Sequence, residues 1–407
     1  MKKKCTKYWI SIAVMLGLIA LLNLIACSAA FCGWYVERIY PHLAEALGRL
    51  TAPLPFSLAE VLMVIEVLGV FTAIAALILL PFLRKKQGYR RFCKGIWKTV
   101  LAAGCFVGLI VTVLGDIPFR CPPLLNENGR KQFTYAEVYA VDAFIVETAN
   151  AAAEEIPLDE NGQAVFPSDA ELTADTVQAL TDLAAEYPRL AGYYPPVKNL
   201  MFSDILNRLR IGGYADYTTL EMVHSRYCCT PLEQPRIDAH ESCHFKGFRR
   251  ESEADFLSTL ALLRSGNPCL RLSGCLRILE FLDDALREAE AAVADDMIAA
   301  GELEPLPDNV GASDPRVKAY AEKLSARMKP APALSSRAAA LKQQSDWIAS
   351  AIYSEDAHPI DGMPAVDETI GEIADLKWEM QAADLKEHDY SGMVLLYLQY
   401  DEAGKLF

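Results

Sequence analysis

The chain has no two cysteines at CxxC spacing, which removes the usual cysteine-built zinc sites. It has no internal repeat and no low-complexity tract, which excludes a repeat architecture. Histidine is scarce, six in 407 residues, so any metal site has few imidazoles to draw on. Positive charge is short over most of the length. Residues 116–407 hold 26 Lys and Arg against 49 Asp and Glu, without a basic stripe, and such a body repels phosphates. Nucleic acid is excluded as a partner.

The first 115 residues have the opposite balance, 13 Lys and Arg against 4 Asp and Glu, and contain three apolar runs. "YWISIAVMLGLIALLNLIAC" (8–27) is uncharged, which suits a bilayer core that takes about 20 apolar residues to cross. "LAEVLMVIEVLGVFTAIAALILLPFL" (58–83) contains Glu60, placed for the interface, and Glu66, deep enough that it is expected to face the helix bundle rather than lipid. "WKTVLAAGCFVGLIVTVLG" (97–115) is the third. The expected membrane domain is therefore residues 1–115, with transmembrane helices at about 8–28, 58–83 and 97–115.

Four lysines precede the first span, and Arg84, Lys85, Lys86, Arg90, Arg91 and Lys94 fill the turn between the second and third. The 33–57 connection has Arg38 and Arg49 alone. The excess of Lys and Arg puts the N-terminus and the basic turn in the cytoplasm, and everything after residue 116 outside. "LIAC" (24–27) resembles a bacterial lipoprotein cleavage site with Cys27 as the lipidated residue; two further spans already anchor the chain, which favours an ordinary first span ending in small residues.

Six of the eleven cysteines (Cys121, Cys228, Cys229, Cys243, Cys269, Cys275) fall in the outer part, where disulfides are permitted. Cys269 and Cys275 bracket a short "LRLSG" segment, read as a loop, and are candidates to pair; the vicinal Cys228–Cys229 is ambiguous. The outer part reads as mainly α. Helical patterns cover 133–155, the stretch "AELTADTVQALTDLAAEYPRLAG" and most of the chain after 251, with a minor extended element around Gly212–Gly213.

The chemistry-bearing stretch is "IDAHESCHFKGFRRESEADFL" (237–257). On a helix, His240 and His244 share one face, so both rings reach one point, and Glu241 stands beside it. This is H-E-x-x-H, in which two histidines bind zinc and the glutamate takes a proton from water. The string arises by chance in roughly one chain of this length in a hundred, and the E-x-x-A-D that follows makes coincidence rarer still. A catalytic zinc needs a third ligand, for which Glu251 and Glu253 are the candidates; Gly247 is placed to stop the first helix and "FRR" to turn the chain back. Cys243, near the ligand face, is either a competing ligand or a small buried hydrophobe.

This spelling resembles the gluzincin metallopeptidases, and the resemblance implies Glu251 as third ligand on a second helix and Asp255 as a hydrogen-bond partner of a zinc-bound histidine. More broadly, "WYVERIYPHL", "PFS", "HESCHFKGFRRESEADFL" and "YSGMVLLYLQY" resemble an uncharacterised bacterial membrane family, domain of unknown function 3810. The resemblance implies three spans followed by a zincin-like, mostly helical extracytoplasmic metallopeptidase domain (116–407) with a small sheet. It also implies Zn²⁺ as cofactor, and it supplies no substrate. Similar enzymes use a phenol or imidazole as oxyanion donor, which makes Tyr390 and His388 candidates, and they run a substrate-aligning edge strand where His224 lies. The expected function is a membrane-anchored zinc metallopeptidase acting on peptides or envelope proteins. The alternatives are a catalytically silent zinc-binding sensor, which an intact Glu241 argues against, and a structural or transport protein, which a site with an open ligand position argues against.

Overall fold

The computed structural model describes residues 2–126, 128–209, 211–226, 230–307, 310–311, 314–343 and 392–406. In chain order its elements begin with α1 (Lys2–Ile25), α2 (Ala29–Arg38), α3 (Tyr40–Thr51), α4 (Leu58–Leu83), α5 (Gln87–Val111) and α6 (Ile117–Phe119). There follow α7 (Tyr135–Glu155), α8 (Asp169–Leu183), β1 (Lys198–Asn199), α9 (Ser203–Arg208), β2 (Gly213–Ala215) and β3 (Met222–His224). The rest are α10 (Gln234–Phe245), α11 (Glu251–Leu263), α12 (Pro268–Ala299), α13 (Pro315–Ser325) and α14 (Gly392–Glu402). The mainly helical architecture with a small sheet is as the sequence reads. The chain divides into two units: Met1–Pro122 with Leu183–Cys229 and His240–Ala254, and Pro123–Asp182 with Thr230–Ala239 and Asp255–Phe407.

In the first unit three helices are long and apolar enough to cross a membrane: Thr6–Ile25, Leu58–Leu83 and Gln87–Phe119. Their exposed surface is Leu, Ile, Val and Phe, such as Leu24, Leu68, Ile78 and Phe106, a surface suited to lipid and costly in water. The third is longer than expected, because the basic residues from Arg90 to Lys94 continue in the helix. A π-helical segment, Thr112–Asp116, lies near its end. There the carbonyl of Val113 accepts the Tyr35 hydroxyl at 2.9 Å and that of Leu114 accepts Arg249 at 2.6 Å. A π turn frees carbonyls from the i→i+4 ladder, which opens them to outside donors. Glu66 departs from its expectation. It is exposed on α4 rather than turned into the bundle, within a run from Leu62 to Leu68 that is exposed throughout.

The connection between the first two of these long helices folds into α2 and α3. Tyr40, Ala44, Gly48 and Thr51 of α3 are buried at i, i+4, i+8 and i+11. The core beneath it combines Val36, Tyr40, Leu114, Ile117, Leu220, Met222 and Phe245. The sheet runs in the order β1-β3-β2, with β1 parallel and β2 antiparallel to the central β3. It is fastened to the start of α4 by buried charge. Glu60, which the sequence places at the interface, is fully buried and accepts the N–H groups of Met201 and Phe202 at 2.9 Å each. Glu221 accepts the Ala59 N–H at 2.8 Å and pairs with Lys198 at 2.5 Å, whose ammonium also reaches the carbonyls of Thr51 and Phe56.

In the second unit a capping box of Thr134 and Glu137 opens α7, which buries Val138, Val141, Ile145, Ala149 and Ala152 and packs along α12. Tyr397 of α14 meets the Thr259 hydroxyl at 2.8 Å and stands edge-on to Phe256. The expected Cys269–Cys275 pairing is overturned: "LRLSG" is helix, and both thiols are buried and free on α12. Six residues along a helix span about 9 Å and point to different sides, beyond disulfide reach.

Asp142 is buried on α7, and burial, with the like charge of Asp283, pushes its carboxyl up to about 6. The native state therefore holds this proton to higher pH than the unfolded chain, whose Asp titrates near 3.9. The resulting stability is present at low pH and is lost as pH rises through about 6. Asp142→Asn is expected to stabilise the full chain in detergent at pH 8, by at most about 3 kcal/mol in denaturant unfolding, with the gain shrinking toward pH 4.5. An equal effect at both pH values contradicts the assignment.

Candidate metal centre

Two helices meet at a turn built by one glycine. Gly247 has φ +86°, in the left-handed region. Its N–H donates to the His244 carbonyl at 2.9 Å, and the Phe248 N–H donates to the Cys243 carbonyl at 3.1 Å. That pair of bonds is the Schellman stop of a helix. A Cβ at 247 would stand 3.0 to 3.1 Å from carbons of the Tyr40 ring, so glycine is required by space as well as by φ.

The turn also orients a candidate ligand. Nδ1 of His244 lies 2.7 Å from the Phe248 carbonyl, which can only accept, so the proton sits on Nδ1 and Nε2 keeps its lone pair. The chain then reverses, and α11 opens with Glu251 over both rings. His240 Nε2 is 3.1 Å from Glu251 Oε2, and His244 Nε2 is 3.5 Å from Oε1. One donor atom from each of the three residues lies within 4.8 Å of the other two. Donors arranged tetrahedrally about zinc at ~2.0–2.1 Å stand about 3.4 Å apart, so two imidazoles and this carboxylate fit the ion with small movements. The His244 and His240 side chains are 5% and 16% exposed and that of Glu251 is 70% exposed, so one side of the cluster faces solvent. Partial desolvation pushes the Glu251 carboxyl up; without a metal, hydrogen bonds and charges from His240 and His244 in their protonated forms outweigh it and hold the group below the usual carboxylate range.

Of the other sequence candidates, Glu241 is buried beside His240. Glu253 is buried with its carboxylate 3.3 Å from Arg250, and it does not join the cluster. Asp255 follows Glu251 by one turn, its carboxylate 3.5 Å from Arg277. Cys243 is fully buried, as the small-hydrophobe reading has it. His224 is not on an edge: it pairs with both Asn199 and Gly213 on the central strand β3, because β2 closes the side that the sequence pattern leaves open. Tyr390, His388 and the Cys228–Cys229 pair lie outside the described residues.

Three neighbours escape the sequence reading. Tyr40 donates its hydroxyl to the Phe245 carbonyl at 3.0 Å. Arg249, buried, donates to that hydroxyl at 2.8 Å and lies over the Tyr217 ring, 4.0 Å from its centroid. Burial raises the Tyr217 phenol, Arg249 works the other way, and the charges of Glu251 and Glu241 raise it further. Tyr217 therefore stands within electrostatic reach of both carboxylates. Nothing local in "GYADYTTL" marks it, since only tertiary contact brings it there.

The family described as "Protein of unknown function (DUF3810)" matches residues 35–325, most of the chain and all of the cluster. No curated protein and no solved structure matches.

If the three donors act together, elemental analysis of the purified full chain finds about one zinc per chain. Glu251→Ala loses it and Glu253→Ala keeps it. Gly247→Ala, strained at its φ and crowded by Tyr40, is expected to weaken zinc binding at least ~10-fold, as changes to groups that orient a ligand do. Equal zinc in all four proteins contradicts the assignment.

Proposed function

The chain belongs to the family described as Protein of unknown function (DUF3810), and we propose that it is a membrane-anchored zinc metallopeptidase. The observation that carries this reading is the convergence of His240, His244 and Glu251 on one point, with a buried Glu241 beside it and one side open to solvent. Three protein donors and an open side are what a catalytic rather than a structural zinc requires. His240, His244 and Glu251 would hold zinc there, and the ion would lower the pKa of a water and polarise a peptide carbonyl. Glu241, buried beside His240, would serve as the base that takes a proton from the attacking water and returns it to the leaving amide nitrogen as the C–N bond breaks. The hydrogen bond from His244 Nδ1 to the Phe248 carbonyl leaves Nε2 as the nitrogen that would bind the ion. Tyr217, whose ring stacks under Arg249 and whose phenol feels the charges of Glu251 and Glu241, is a candidate donor to the charge developing on the carbonyl oxygen. The positive-inside pattern supports placing the site on the outer face of the membrane, toward envelope proteins and extracytoplasmic peptides.

Glu241→Gln is expected to keep its zinc and to lose ~10²–10⁴-fold in kcat against a peptide library. Tyr217→Phe is expected to keep its zinc and to lose about 10²-fold. A zinc-loaded wild-type chain that cleaves nothing, or a Glu241→Gln chain as active as wild type, contradicts the proposal.

A further inference from the structure

The metal-site helices and the sheet before them are attached to the chain where it leaves a span. Arg249 donates to the carbonyl of Leu114 at 2.6 Å and Arg250 to that of Cys121 at 2.9 Å, both at the end of the helix Gln87–Phe119. Tyr40, at the start of α3, holds the Phe245 carbonyl. Lys198 holds the carbonyls of Thr51 and Phe56, and Glu60 holds the N–H groups of Met201 and Phe202, both just where the span Leu58–Leu83 begins. In a chain that crosses three times, the ends near residues 25, 58 and 119 fall on one face. The attachments therefore lie in one plane.

That plane carries apolar surface beyond the spans. Trp34, Ile39, Leu50 and Phe56 in the connection, and Phe119 at the third span's end, are 52%, 37%, 72%, 38% and 56% exposed. Trp and other large apolar side chains placed between two span ends belong in the headgroup layer. An arginine side chain reaches roughly 7 Å, its bond to the Cys121 carbonyl adds 2.9 Å and neighbouring Cα atoms are 3.8 Å apart, so the Glu251 Cα stands within about 14 Å of that carbonyl.

We propose that α2 and α3 lie in the headgroup layer and fix the candidate site beside it, so that its substrate is a peptide segment next to the bilayer: the juxtamembrane stretch of a membrane-anchored polypeptide. An extended chain covers about 3.3 Å per residue, which puts the scissile bond within roughly ten residues of the anchor. The substrate half rests on the metallopeptidase reading; the positional half does not.

The test uses the full chain in phosphatidylcholine–phosphatidylglycerol vesicles. With Trp9, Trp97, Trp347 and Trp378 replaced by Phe, Trp34 is the single reporter. Its fluorescence is expected to be quenched by lipids brominated near the headgroup and far less by lipids brominated near the chain end. No quenching, or quenching only by the deep bromines, overturns the placement. The zinc-loaded wild-type chain is then given one cleavable sequence held ~5 or ~30 residues from a lipid anchor. The short spacer is expected to be cut at least ~10-fold faster, and equal or reversed rates overturn the substrate class. If neither these nor a soluble peptide is cleaved, the metallopeptidase reading fails and takes the substrate half with it, while the Trp34 result still decides the placement.

Discussion

The candidate centre depends on the reversal at Gly247. One residue in the left-handed region ends α10 and directs the Phe248 carbonyl onto His244. It also returns the chain so that α11 begins with a carboxylate over both rings. A side chain in that conformation costs roughly 1–2 kcal/mol before any clash, and here the Tyr40 ring adds one. The turn is held from outside as well. Lys246 donates to the carbonyls of Ala191 and Tyr193, and Arg249 to Leu114 and Tyr40. The geometry of the candidate ligands, helix termination and attachment to the third long apolar helix thus come from the same short stretch of chain.

Buried charge in the first unit follows one logic. Helix ends leave backbone groups without partners, and three spans, two short helices and a small sheet bring many such ends together. Glu60, Glu221, Lys198 and Arg249 are buried or nearly so and spend their hydrogen bonds largely on backbone atoms at those ends. A buried charge is costly unless it is paired or hydrogen-bonded, and these are. The charges place the sheet and the Gly247 turn at the ends of the long apolar helices.

What the sequence made legible was local. Length and hydropathy mark three spans, because crossing a bilayer demands them. H-E-x-x-H brings two rings together because i and i+4 share a helix face, and Gly247 announces the stop because glycine tolerates its φ. The choice of Glu251 over Glu253 came from the resemblance to the gluzincins, and the turn accounts for Glu251 rather than Glu253 facing the rings: the first residue of α11 returns to them while the third turns to Arg250.

What depends on distant chain was not legible. Tyr217 precedes the motif by more than twenty residues, and Tyr40 by two hundred. His224 lies centrally because β1 joins β3 in parallel from another part of the chain, which no alternation pattern encodes. "LRLSG" looks like a loop by composition, yet packing carries α12 straight through it. Glu66 shows the limit of the rule that buried acids face the bundle, since three helices leave much of each surface outward.

Zinc absorption spectroscopy of the full chain tests the central claim most directly, because it reads which atoms surround the ion. The account predicts two imidazole nitrogens and oxygen donors at ~2.0–2.1 Å with no sulfur. A sulfur neighbour at ~2.3 Å, which would bring Cys243 or another thiol into the site, or a well-folded chain that holds no zinc, would contradict it.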